Sequence, residues 1–158
     1  MDTAPVGRTL SAVADLDHVR RLATSLPGTR EAKDRFAFSV RNGSKEKGFV
    51  WVWMERIAPR KARVPNPEVL AVRVADLDEK DALLALEKKT VFTEPHYNVF
   101  PAVLVRLPLV DVGALKELIT DAWRCVAPRA LVDEFERRRR PAKTGRVHCY
   151  PQHAASVN

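Results

Sequence analysis

The stretch VFTEPHYNVFPAVLVRL, Val91 to Leu107, decides the fold. A polar segment, Thr93-Glu94-Pro95-His96-Tyr97-Asn98, leads into an apolar run with one embedded arginine, Arg106. Ala102 to Leu107 has the length and β-branched content of a buried strand. Pro101 fits only at its start, because proline has no N–H to give to a ladder. A strand therefore enters the core here, and its mouth carries a His, a Tyr and an Asn.

Working outward, Asp111 is an N-cap for the strongest amphipathic helix of the chain. Leu115, Leu118, Ile119, Ala122 and Val126 line one side of it, with Trp123 beside them. Pro128 breaks that helix and opens another, docked by Leu131 and Phe135. Upstream, Asp76 and Glu79 form a capping box for a helix carrying Leu83, Leu84 and Leu86. Three strands are expected before it: Arg35 to Arg41, Phe49 to Glu55 and Val69 to Val74. In the second, Phe49, Trp51 and Trp53 share one face, and Val50, Val52 and Met54 the other. Asn42-Gly43-Ser44 joins the first two as a hairpin with lysines at its tip. Arg56 to Pro67, with Pro59, Pro65 and Pro67, reads as a loop. The first helix follows an N-cap at Asp15, carries Val19, Leu22, Ala23 and Leu26, and stops at Pro27-Gly28. A short strand or edge segment is expected near Val91–Thr93.

These elements give the order α-β-β-β-α-β-β-α-α. The expectation is an α+β, two-layer sandwich: a five-stranded antiparallel sheet with helices packed on it. Residues 1–13 read as a flexible arm, 14–136 as the domain, and 137–158 as a basic, disordered tail.

The chain has 158 residues, 46% hydrophobic and 30% charged, which suits one soluble domain with tails. No apolar run is long enough to span a bilayer, and no secretory leader pattern is visible. Cys125 and Cys149 fall in unlike contexts, which fits a reducing cytoplasm better than a disulfide framework. The net charge of +7 invites a nucleic-acid reading, but six Lys/Arg lie at or beyond Arg137 without an acid. The remaining 21 basic and 20 acidic residues leave residues 1–136 at +1. A global charge argument for DNA binding is weaker than the total suggests.

TEPHYNVFPAVLVRL followed by DVGALKELITDAWRCVAP resembles the small bacterial MmcQ/YjbR-like proteins. The first helix ending in LPGT and the strand around KGFVWVW are similar to that family too, so the resemblance spans roughly residues 15–132. It implies a CyaY-like two-layer fold with an antiparallel sheet, and DNA binding through a double-wing motif. It implies no established activity and no catalytic residues.

Two candidate sites follow. In a double-wing reading, Lys45 and Lys47 on the hairpin and Arg56, Arg60, Lys61 and Arg63 on the following loop grip phosphates. Arg137, Arg138, Arg139 and Arg140 add sequence-independent affinity through counterion release. The plain alternative for all of them is solvated charge. The second candidate is a ligand or peptide pocket at the mouth. There His96 exchanges a proton, Tyr97 offers its hydroxyl, Glu94 holds the imidazole, and Trp51 and Trp53 present a stacking face. The plain alternatives are a loop anchored by hydrogen bonds and tryptophans beneath the helices, and they are favoured. Arg106 must face solvent or find a carboxylate. No phosphate loop, catalytic set or metal motif stands out. The expectation is a non-enzymatic binding module without cofactor or metal, a monomer by default, with double-stranded DNA as its partner and no membrane attachment. The alternative is a pocket protein using the His96/Tyr97 loop.

Overall fold

Ala102–Arg106 is an interior strand, and its first four side chains are completely buried. The computed structural model describes residues 13–139. In chain order these form α1 (Leu16–Thr24), β1 (Thr29–Glu31), β2 (Ala37–Asn42), β3 (Lys45–Glu55), β4 (Val64–Arg73), α2 (Leu77–Leu86), β5 (Val91–Phe92), β6 (Ala102–Arg106), α3 (Val112–Val126) and α4 (Arg129–Arg139). Short 3-10 turns cover Pro95–Tyr97 and Leu107–Leu109. The strands pair antiparallel in the order β1-β2-β3-β4-β6-β5. Of the expected arm, Val13 alone is described, bridging to Asp111. Residues 1–12 and the expected tail from Arg140 onward lie outside the described residues.

The α+β class holds, but among the described residues the sheet has six strands rather than five. The order becomes α-β-β-β-β-α-β-β-α-α. The added strand, β1, is three polar residues long and has no periodicity to reveal it. It forms because Gly28, at φ +74°, turns the chain after α1 and lays Thr29–Glu31 along Phe38–Val40 of β2. β4 also starts earlier than expected. Pro65 and Pro67 belong to it, not to a loop, because β6 pairs only from Val69 onward. That leaves one edge of residues 64–67 with no ladder that would need their N–H groups.

Register irregularities alter the faces of β3. Phe38 pairs with Val50 but Ser39 pairs with Gly48, so Phe49 is extra. A residue inserted in this way breaks strict alternation. Phe49 and Val50 both join the core beneath the helices, and Trp51 points to the opposite face. The expectation that Phe49, Trp51 and Trp53 share a side fails at that bulge.

α1 and α3 seal one side of the sheet. Val19 and Ala23 meet Leu115, Ile119, Ala122 and Trp123 over Phe38, Val50, Leu70, Val72, Val103 and Val105, all at most 1% exposed. Asp111 caps α3 as expected, its Oδ1 accepting from Ala114 N at 2.8 Å. Asp15 caps α1, and His18 completes the capping box. At α2 the expected box is half made. Asp76 accepts from Glu79 N at 2.9 Å, while Glu79 reaches one residue further back, to Ala75 N. α4 docks through Leu131 and Phe135 and continues to Arg139, so Arg137–Arg139 are helical rather than part of a tail.

Trp123 is fully buried and its Nε1 donates to Pro27 O at 3.0 Å, tying α3 to the turn that ends α1. Lys80 is the buried charge of the molecule's described part, 2% exposed on the inner side of α2. Its Nζ donates to Tyr97 O and, at 2.9 Å, to Phe100 O. The amine thus spends its protons on the polar segment ahead of β6.

Trp123→Ala should lower unfolding free energy by about 3–5 kcal/mol in urea titrations, and Trp123→Phe by clearly less; a loss below about 1 kcal/mol for the alanine variant contradicts this packing. Burial holds the Lys80 amine below the ordinary lysine value of 10.5, with Asp81 offsetting part of the effect. The folded chain then binds fewer protons than the unfolded chain between the lowered value and 10.5. Stability from this group rises with pH through that window. The urea midpoint of the wild type should therefore gain on that of Lys80→Met as pH rises from neutral, and a difference that stays constant contradicts the buried amine.

Candidate functional site

Among the described residues, the side of the sheet away from α1 and α3 carries no α-helix. Along β2 it presents Ala37 and Ser39, along β3 Trp51 and Trp53, along β4 Val69, Ala71 and Arg73, and along β6 Leu104 and Arg106. Phe92 of β5 adds to its far edge. Trp51 and Trp53 are half-buried here. The expectation that they lie beneath the helices is corrected: the Phe49 bulge turns them outward, where Phe92, Tyr97 and Phe100 meet them.

That segment folds back over part of the face. Tyr97 and Phe100 lean on Trp51, with Trp51 Nε1 donating to Tyr97 Oη at 3.0 Å. Arg73 stands over the Phe100 ring, 5.7 Å from its centroid. Among the described residues Arg106 finds no carboxylate. It lies 4.0 Å over Phe92 and donates to Lys89 O, so ring and carbonyl take the place of an acid. Trp53 meets Phe92 edge to face at 6.2 Å.

The expected Glu94–His96 clamp is not made. His96 is exposed, with its ring 5.8 Å from Tyr97, and Glu94 is half-buried with its carbonyl accepting from Tyr97 N. Of the residues proposed for the mouth, the structure joins Tyr97 to Trp51 and leaves His96 facing solvent. A concavity of about 610 Å³ lies on the other side of Trp51, at the β1–β2 connection. Its lining includes Ala37, Ser39, Gly48, Trp51, the cations Arg30, Lys33 and Arg35, and the carboxylates Glu31 and Glu46. Sequence reading missed this place, and it missed Lys80. Lys80 had a signal: it stands three and four residues before Leu83 and Leu84, on the helix's apolar side.

The basic connections sit at opposite ends of β3. Lys45 and Lys47 are on the strand itself and not at a tip: Lys45 faces Asn42 and Lys47 faces Val40. The tip is Gly43-Ser44, with Gly43 at φ +68°. Eleven residues on, roughly 33 Å away at strand spacing, the Arg56–Arg63 loop begins. Arg56 braces that loop by donating to Pro59 O and Lys61 O, and Arg63 donates to Met54 O. Arg60 and Lys61 stand exposed beside them. On α4, Arg138 pairs with Glu134 at 2.8 Å and Arg139 lies over Phe135. Among the described residues no three His, Cys, Asp or Glu side chains gather as metal ligands, and no helix is long and apolar enough to cross a membrane.

Charge is strongly segregated. Residues 30–73, which span β1 to β4, hold eleven Lys/Arg and five Asp/Glu, a net of +6. Residues 74–136 hold seven and twelve, a net of −5. The near-neutral total conceals a basic half-sheet and an acidic remainder.

Comparison with known proteins agrees with the fold. The chain matches no family model. It is 38% identical over 129 residues to the uncharacterised protein Rv2570 of Mycobacterium tuberculosis (strain H37Rv), and equally to the uncharacterised protein Mb2600 of Mycobacterium bovis. The match covers 78% of this chain and 96% of each relative. Among solved structures, the crystal structure of Deinococcus radiodurans protein DR2400, a DUF419 domain, is similar with a TM-score of 0.58 and 20% identity, covering 80% of this chain and 92% of that one. That likeness concerns the fold. The identity to the mycobacterial proteins is enough for kinship, and the chain belongs to their family.

Proposed function

We propose that this protein is an MmcQ/YjbR-like, non-enzymatic binding module of the cytoplasm that holds DNA against the basic β1–β4 half of its sheet. The observation that carries this reading is the charge segregation: +6 over residues 30–73 beside −5 over residues 74–136. A surface of one sign focuses a polyanion onto itself, and an acidic remainder turns the molecule to present that surface. The exposed cations Arg60 and Lys61 at one end of β3, and Lys45 and Lys47 at the other, are set to meet phosphates roughly one duplex turn apart. Arg56 and Arg63 are occupied by backbone carbonyls, so their role is to shape the loop. Arg137–Arg139 and Arg140 contribute a second, sequence-independent share.

The proposal is tested with duplex DNA in mobility shifts and anisotropy titrations across salt. Affinity should fall steeply as salt rises. Replacing Arg60 and Lys61 by Glu should weaken binding about tenfold or more at low salt and flatten the salt slope. Absence of any duplex binding at low salt overturns the proposal. If the double variant binds as the wild type does, the Arg56–Arg63 loop takes no part in binding and the two-ended contact along β3 falls.

A further inference from the structure

We infer that the concavity beside Trp51 takes a single unpaired nucleotide, its base stacked on the indole and its phosphate met by the β1–β2 connection. This rests on the nucleic-acid reading above and names the form of nucleic acid the site accepts.

The hollow exists because small residues coincide there. Ala37 pairs with Trp51, and Ser39 pairs with Gly48 across the Phe49 bulge, so three adjacent positions project almost nothing above the sheet. Its volume, about 610 Å³, falls within the range of small-molecule sites, roughly 300–1,000 Å³. Trp51 forms one wall and is held in place from behind by its bond to Tyr97 Oη. The Cε3 side of its ring system faces Gly48: a Cβ built on Gly48 would stand 3.9 Å from it, in ordinary contact.

Charge at the rim favours an anion. Glu31 is spent on Arg20, which it holds with both oxygens at 2.8–3.2 Å. Glu46 accepts from the Ser39 hydroxyl and lies 4.0 Å from Arg30. Lys33 and Arg35 make no ion pair among the described residues, and the one acid between them, Asp34, does not line the hollow. An aromatic wall, a floor of small residues and two uncommitted cations suit a planar ring carrying a phosphate. A paired base within a duplex cannot offer its face to Trp51, so the site requires a free mononucleotide or an unpaired nucleotide in a strand.

The experiment follows tryptophan fluorescence of the full chain titrated with three probes: thymidine monophosphate, a short single-stranded thymidylate oligonucleotide and a duplex. Gly48→Leu fills the hollow from a position whose backbone tolerates a side chain; Trp51→Phe removes the reporter indole and keeps an aromatic wall. Circular dichroism confirms that both variants fold. The inference expects saturable quenching by the mononucleotide, the single strand or both, and which of them quenches identifies the source. Gly48→Leu should weaken that binding about tenfold or more, and Trp51→Phe should remove most of the quenching. If duplex binds but neither unpaired probe quenches, or Gly48→Leu leaves their affinity intact, the inference falls and the proposed function stands. If no probe binds at all, both fall.

Discussion

One-sided sealing of the sheet is the constraint on which the rest depends. Phe38, Val50, Leu70, Val72, Val103 and Val105 spend their burial against α1 and α3, and water is excluded there almost completely. Burial of this kind is the dominant favourable term in folding, so it decides which way every strand faces. With register set by the helix side, the opposite side carries a lighter packing demand. Val69, Ala71 and Leu104 form a small buried cluster there with Phe92 and Tyr97, while toward β2 and β3 it carries alanine, serine, glycine and half-buried tryptophan.

Lys80 links the two sides. A buried amine is costly unless its protons are used, and here the carbonyls of Tyr97 and Phe100 use them. The consequence reaches the open face. Residues 94–100 have no long strand of their own, so the tether from α2 is what places Tyr97 and Phe100 against Trp51. The cation–π contacts of Arg73 and Arg106 then settle on rings already positioned. A hydrophobic layer, a buried charge and an aromatic cluster thus form one chain of dependence from core to surface.

Much of the fold was legible in the residues. The apolar run after Pro101, the Asp111 cap with the Leu115–Val126 periodicity, and the Asn42-Gly43 turn each have a local cause that sequence displays directly. β1 was not legible, since three polar residues acquire strand geometry only from a neighbour. Pro65 and Pro67 misled because proline signals a loop unless one edge lies unpaired, and pairing is a tertiary fact. The Phe49 bulge is equally invisible, and it reversed the reading of Trp51 and Trp53. At the candidate site, the cations were legible one by one, whereas the hollow formed by Ala37, Ser39 and Gly48 exists only once three strands are in register. The charge segregation was present in the sequence throughout. Dividing the chain at residue 136 averaged it away, because the informative boundary falls between β4 and α2.

The central claim is that recognition belongs to the helix-free side of the basic half-sheet. Backbone amide chemical-shift mapping of the full chain during titration with DNA tests this most directly. The account predicts that the shifting amides cluster on β1 to β4, around Ser39, Gly48 and Trp51 and in the Arg56–Arg63 loop, with α1 and α3 silent. Shifts concentrated on α1 and α3, or confined to residues beyond Arg139, would contradict it.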